Sequence, residues 1–365
     1  MKGEEYFKKL VKGEGLVIVD RLALLLLKGV SFLYSFVMLL RGFLYHFGVF
    51  RSYALAAPVI SVGNLVMGGT GKTPVTVFIA DYLMKRGKKV AVLTRGYGGR
   101  LEGEVAVVSD GEKRLLSAAD AGDEPSLMAE MLPGLIVVMG SDRYQAGSLA
   151  MERFKPDVFI LDDGFQHLRI RRDLNILLMD AKSPLGNGSV FPAGTLREPP
   201  SAANRCDLVI YTRSSDSMDV TKTAPPGKPH AKARHSLAGL RKSLSAELLP
   251  FSHLEGRRGA AFAGIANPMS FFDSLEENGL RLAATLSFPD HCEYGEQETA
   301  ALARLLKSSR ADYLITTAKD AVKIGGLING SSPFYIASLE IKFFDSSPLE
   351  RELIRFINRR GNGHI

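Results

Sequence analysis

From Pro58 onward, short apolar runs alternate with stretches whose apolar positions recur every three to four residues. Runs of four to eight apolar residues bounded by turn residues read as buried strands, and the longer 3.6-residue period reads as helix. The runs at 59–62, 90–93, 135–139, 158–161, 174–179 and 208–211 predict an α/β fold, a mostly parallel sheet with flanking helices. A second α/β pattern starts near Gly259: strand 260–264, a helix from Pro268, strand 281–288, helix 296–306, strand 313–316, then an amphipathic helix over 349–359. Residues 213–235 are rich in Ser, Thr, Pro and Lys without an apolar period, and read as an exposed connection. The expected organisation is an N-terminal helical segment (1–55), a core domain (56–227), a connection (228–258) and a smaller C-terminal α/β domain (259–365).

The N-terminal segment is the outlier. Residues 22–40 are apolar apart from Lys28, are bounded by Arg21 and Arg41, and aromatic residues recur through Phe50. A spanning helix needs about 20 apolar residues, and a lysine at its centre costs roughly 2.5–3.5 kcal/mol. The charge-free part, 29–40, is too short to span alone. A helix lying in the membrane interface, a span and a buried core helix all remain open. The flanking Arg21, Lys28, Arg41 and Arg51 favour contact with an anionic membrane surface, by about 1 kcal/mol each near the leaflet.

At 365 residues the chain has length for about two domains. Its 46 basic and 39 acidic residues leave a net charge of +7, which suits anionic partners. No nucleic-acid partner is expected: there is no Trp, and aromatics do not interleave with the basic residues. Cys206 and Cys292 have neither metal-ligand nor redox spacing, so a reducing compartment is expected.

The chemistry gathers where strands end. After the first strand comes Gly68-Gly69-Thr70-Gly71-Lys72-Thr73-Pro74, opening a helix. Backbone N–H groups of such a loop, with the helix N-terminus, form a nest for the phosphates of a nucleotide triphosphate. Lys72 would reach the β- and γ-phosphates and the Thr73 hydroxyl would ligate Mg²⁺. The strict pattern wants glycine where Val66 stands; Gly68 and Gly69 supply the flexibility instead. Asp162 and Asp163 close another strand, a position that binds Mg²⁺ in nucleotide-hydrolysing folds, although Asp there also caps turns. Gln166 and His167 follow at once.

Gly122-Asp123-Glu124-Pro125 opens a helix to Met131. Acidic residues in a first turn complement the helix dipole, but a carboxylate there could also accept a proton from an attacking hydroxyl. The segment 95–100, RGYGGR, reads as a tight turn or as an arginine-bearing loop for an anionic substrate. Arg143 follows a further strand end, and Arg197 sits in the Pro/Gly-framed loop FPAGTLREP. Each is either a surface ion-pair residue or a phosphate contact. His291, in FPDH, can meet this rim only if the second domain closes on the first. Ligands of open α/β sheets bind beyond the carboxyl ends of the strands, so these segments are expected to converge.

SVGNLVMGGTGKTP, LTRGYGG, GDEP, SDRYQAG, LDDGFQH, FPAGTLREP, FPDH and KDAVK occur in that order. In this series the chain resembles the tetraacyldisaccharide 4′-kinases of lipid A biosynthesis in Gram-negative bacteria. The resemblance implies a P-loop NTPase-like domain plus the smaller C-terminal domain, with ATP and Mg²⁺ as cofactors. It implies transfer of the γ-phosphate to the 4′-hydroxyl of an acylated glucosamine disaccharide 1-phosphate, giving lipid IVA. It further implies a membrane-associated N-terminal helix at the cytoplasmic face of the inner membrane; a monomer is expected. Carried over by motif, Lys72 and Thr73 hold phosphates and Mg²⁺, with Glu124, Asp162 and Asp163 around the metal. Asp123 matches the base, oriented by His291, while Tyr97, Arg143, His167 and Arg197 line the reaction centre. The family often has Glu before KDAVK; Ala318 stands there. A membrane-associated switch ATPase would share the loop and the apolar helix. Such switches often carry a second lysine where Met67 stands, and have no use for an arginine-rich rim.

Overall fold

The computed structural model describes residues 6–7, 10–11, 17–244, 247–290, 292–324 and 333–358. Its strands, in chain order, are β1 (Val59–Asn64), β2 (Val90–Thr94), β3 (Ala106–Asp110), β4 (Ile136–Met139), β5 (Val158–Asp162), β6 (Leu174–Asp180), β7 (Leu208–Thr212), β8 (His230–Arg241), β9 (Arg258–Ala263), β10 (Arg281–Ser287), β11 (Tyr313–Thr317) and β12 (Phe334–Phe343). The chain divides into two compact units. One comprises the residues up to Thr76, Lys155–Arg234 and those from Lys342 on; the other comprises Val77–Phe154 and His235–Ile341.

In the first unit the strand order is β8-β7-β6-β1-β5, all parallel. Central β1 registers Ile60 against Ile160 on one side and Leu174 on the other. All six of its residues are buried, the burial pattern of a strand covered on both faces. Below the sheet's carboxyl edge, Leu65, Phe165, Leu177, Leu196 and Tyr211 pack in one apolar cluster. Residues 230–235, expected to be exposed connection, instead form the start of β8, with Ala231 and Ala233 buried. Their period-two burial is carried by small alanines between charged residues, too weak an apolar signal to stand out from the Pro- and Lys-rich stretch before it.

In the second unit β2 and β4 run parallel, and β3 adds antiparallel to β4 with a bulge between Val107 and Ser109. A parallel set, β10-β9-β11-β12, packs Phe271, Phe272, Leu275 and Tyr335 into its core. β3 and β12 have no counterpart among the predicted elements.

The N-terminal helix, Ile18–His46, has the polarity of a soluble helix reversed. At 29 residues it is about 43 Å long, and only Asp20 and Ser31 are buried within it. Leu26 is 74% and Phe32 79% exposed, and Leu22, Leu25, Leu33 and Phe36 are exposed with them. Ser31, Tyr34 and Arg41, spaced three, then seven residues apart, anchor it to the rest of its unit among half-buried Leu24, Leu27 and Met38. Ser31 Oγ donates to the Val190 carbonyl (2.5 Å) and accepts from the Ala193 N–H (2.8 Å). Tyr34 donates to the Arg197 carbonyl (3.3 Å), and Arg41 donates to that of Gln166 (2.9 Å).

Candidate active site

In the first unit the ends of four strands, β1, β5, β6 and β7, converge. β1 runs into the glycine loop, and the helix Lys72–Met84 starts at the lysine itself. A Cβ built on Gly68 or Gly69 meets nothing within 4 Å, so the loop's outer side is open. Its inner side is braced. The buried Thr212 hydroxyl at the end of β7 donates to the Thr70 carbonyl (2.9 Å), and Asn64 Nδ2 at the end of β1 donates to Thr70 Oγ1 (2.9 Å). Arg213 donates to the Gly69 carbonyl and, at 2.9 Å, to Asp180 of β6. None of Asn64, Thr212 or Arg213 stood out in the sequence. A side chain that braces a backbone carbonyl leaves no periodic trace; the only cue was their place at strand ends.

Asp162 and Asp163 part company. Asp162 is buried at the end of β5 and accepts from the Thr76 hydroxyl at 3.1 Å. Asp163 adopts a left-handed backbone (φ 50°), a conformation Asp tolerates better than most residues. The turn aims its carboxylate at two cations: Lys72 Nζ lies 3.6 Å from Oδ1, and Arg197 Nη1 donates to both oxygens at 2.9 and 2.8 Å. Arg197 reaches this point because its loop pairs with the strand leaving β1. The Arg197 N–H donates to Leu65 O, and the Met67 N–H to Thr195 O, both at 2.7 Å. Gln166 caps the group, donating to the Asn64 carbonyl at 2.8 Å and accepting from Arg197 at 3.4 Å. His167 is half-buried on the same turn.

These residues suit a magnesium triphosphate. Two cations face one carboxylate beside an open, positively polarised helix start, which leaves charge for an anion. Buried Asn64 Oδ1 finds no hydrogen-bond partner among the described residues, an acceptor fit for a metal-bound water. The Thr73 hydroxyl and the two carboxylates are hard oxygen donors, as Mg²⁺ demands. No group of three or more His, Cys, Asp or Glu clusters among the described residues.

The second unit holds the remaining candidates apart from His291, which lies outside the described residues. Asp123 starts the helix Asp123–Met131, with Glu124 exposed beside it. The glycines of RGYGG let two backbones touch here: a Cβ on Gly99 would come within 2.6 Å of Gly122 N, and one on Gly122 within 2.4 Å of Tyr97 O. Gly122 also has φ 90°. The loop thus fixes where the Asp123 helix begins. Its Arg100 pairs with Asp120 at 2.6 Å, its Arg95 with Glu102 at 3.3 Å, and Tyr97 is exposed. Arg143 is buried at the start of the helix Arg143–Phe154, which follows β4, and donates to the Gly140 carbonyl at 2.5 Å.

Behind Asp123 stands the helix Ala318–Ile324, the KDAVK segment. Lys323 Nζ lies 3.0 Å from Asp123 Oδ2 and donates to the Cys292 carbonyl at 3.2 Å. Lys319 pairs with Asp290 at 3.4 Å. Asp320 is wholly buried and accepts from the Gly264 N–H (3.1 Å), the Tyr294 hydroxyl (2.9 Å) and the Thr317 hydroxyl (2.7 Å). Burial, and then the neighbouring Asp320 charge, push the Tyr294 phenol far above its ordinary value, so it stays a donor. Ala318 packs with Ala118, Leu244, Val322 and Ile336, so a carboxylate at 318 would be buried among apolar groups.

A phosphate loop after the first strand, a lysine and threonine opening its helix and a strand-end carboxylate pair define a P-loop kinase. Comparison with known proteins narrows this. The family model for tetraacyldisaccharide-1-P 4'-kinase (LpxK) matches residues 23–358, and the chain belongs to that family. It is 55% identical to the tetraacyldisaccharide 4'-kinase of Geobacter metallireducens, covering 91% of this chain and 98% of the relative. It is 49% identical to that of Geobacter sulfurreducens, over 95% and 98% of the two chains. Among solved structures it resembles the "apo" form of LpxK from Aquifex aeolicus in complex with ATP. That match has a TM-score of 0.75 and 34% identity, and covers 90% of this chain and 97% of the other.

Proposed function

We infer that this chain transfers the γ-phosphoryl group of ATP to the 4′-hydroxyl of a tetraacylated glucosamine disaccharide 1-phosphate, yielding lipid IVA and ADP. The observation that carries the reading is the meeting of Lys72, Asp163 and Arg197, from three separate motifs, at an open phosphate loop. The new bond joins the 4′-oxygen to the γ-phosphorus; the bond from that phosphorus to the β–γ bridging oxygen breaks, and ADP leaves with its electron pair. Phosphoryl transfer needs little covalent help, so positioning and charge neutralisation dominate.

In this reading the amides of residues 68–73 and Lys72 hold the β- and γ-phosphates, and Arg197 joins them once a phosphate displaces Asp163. Thr73, with Asp162, Asp163 and Glu124 nearby, would hold Mg²⁺, which when bound would supply charge neutralisation. Asp123 accepts the 4′-OH proton and His291 orients it; Tyr97, Arg143 and His167 line the reaction centre. The protein acts as a monomer built from a core at 56–227 and a smaller domain at 259–365. The reversed polarity of Ile18–His46 supports seating at an anionic membrane surface, on the cytoplasmic side where ATP is available.

Incubation with ATP-Mg²⁺ and tetraacyldisaccharide 1-phosphate in detergent tests this. A product carrying a second phosphate is expected. Bilayer-stimulated hydrolysis of ATP with no phosphorylated lipid would overturn the reading in favour of a switch ATPase.

A further inference from the structure

The KDAVK segment is the one motif left without a part in phosphoryl transfer. We propose that Lys323 is a positioning residue: its ammonium group holds the Asp123 carboxylate against the segment that carries His291. This rests on the reading of Asp123 as the proton acceptor.

Four observations support it. Lys323 is almost wholly buried, with its side chain 8% exposed, and it contacts Asp123 at 3.0 Å and the Cys292 carbonyl at 3.2 Å. A single ammonium thus joins the start of the GDEP helix to the residue that follows His291 in sequence. One helical turn earlier, Lys319 clasps Asp290, the residue that precedes His291. Between the two lysines, Asp320 is locked by the Gly264 N–H and the Tyr294 and Thr317 hydroxyls, so the helix bearing both has little freedom to shift. Finally, the close glycine contacts described above crowd the backbone at the same Asp123 helix start. A buried ammonium that bridges carboxylate and carbonyl fixes the direction of the carboxylate lone pairs, which is what proton acceptance from a bound hydroxyl requires.

The test is a double-mutant cycle on the full chain in detergent, with kcat and KM measured for both substrates. Lys323→Met should lower kcat by about 10²-fold, the cost of misplacing a reacting group, with KM for ATP within about twofold of wild type. Lys323→Arg, which keeps charge and donors, should recover most of that loss. Asp123→Asn combined with Lys323→Met should be no slower than Asp123→Asn alone, since a residue acting through another adds nothing once that one is gone. Urea unfolding checks that each variant is folded; if Lys323→Met is not, Lys323→Gln takes its place in the cycle. A slow Asp123→Asn whose loss multiplies with that of Lys323→Met overturns the positioning role and leaves the base reading standing. Asp123→Asn within about threefold of wild type removes the base reading, and the clamp with it.

Discussion

Around Lys72 the charged side chains stand at the mouth of a loop whose backbone carries the geometry. Lys72 and Arg197 share one partly exposed carboxylate, and the loop beneath them is held by carbonyl contacts from Thr212 and Arg213. Around Asp320 the arrangement is inverted: the carboxylate is fully buried, and the donors about it hold helix and strands in place. The first region leaves Asp163 and Arg197 partly exposed, where the proposed phosphate could take the place of Asp163. The second uses its charge for rigidity, and even the neighbouring Lys323–Asp123 pair is largely buried. The proposed roles, recognition of a mobile anion and preorganisation of a proton acceptor, would call for these opposite designs.

Substitutions can break that contrast. Lys72→Ala should reduce kcat/KM for ATP by at least ~10³-fold in a steady-state assay, since it strips charge from the transferring group. Its urea midpoint should barely move, and near-normal turnover would reject the phosphate-loop assignment. Asp320→Ala should act the other way, lowering unfolding stability by about 3 kcal/mol, because several buried donors lose their acceptor together. An unchanged denaturation midpoint would show that the hub is not rigid. Arg213→Met, which frees the Gly69 carbonyl, should raise KM for ATP about tenfold with kcat retained. Equal falls in kcat and kcat/KM would instead place Arg213 in the transition state. Ser31→Ala should cost about 1 kcal/mol, the usual worth of a hydrogen bond, read as a lowered thermal midpoint in detergent.

The two regions also differ in how far the sequence disclosed them. Lys72, Thr73, Asp162 and Asp163 were legible because each follows a fully buried apolar run, and strand-turn-helix chemistry is local. The bracing of the loop was not, because Thr212 and Arg213 act on backbone atoms of a segment more than a hundred residues away. Lys323 and Asp123 likewise pair across about two hundred residues, a distance at which one sequence carries no contact signal. Among strands, the covered parallel ones announced themselves by continuous apolar runs. β8 hid behind alanines, and antiparallel β3 is short and bulged. The glycines of 95–100 could be read as a turn or as a ligand loop. Their close approach to Gly122 gives them a third purpose, setting the start of the Asp123 helix.

The polar anchors of Ile18–His46 tie two events that might have been independent. Ser31 grips the loop at Val190 and Ala193, and Tyr34 touches the Arg197 carbonyl, so whatever tilts or lifts this greasy rod also tugs on the arginine at the phosphate mouth. The placement of the helix and the position of the Arg197 loop are thereby mechanically linked.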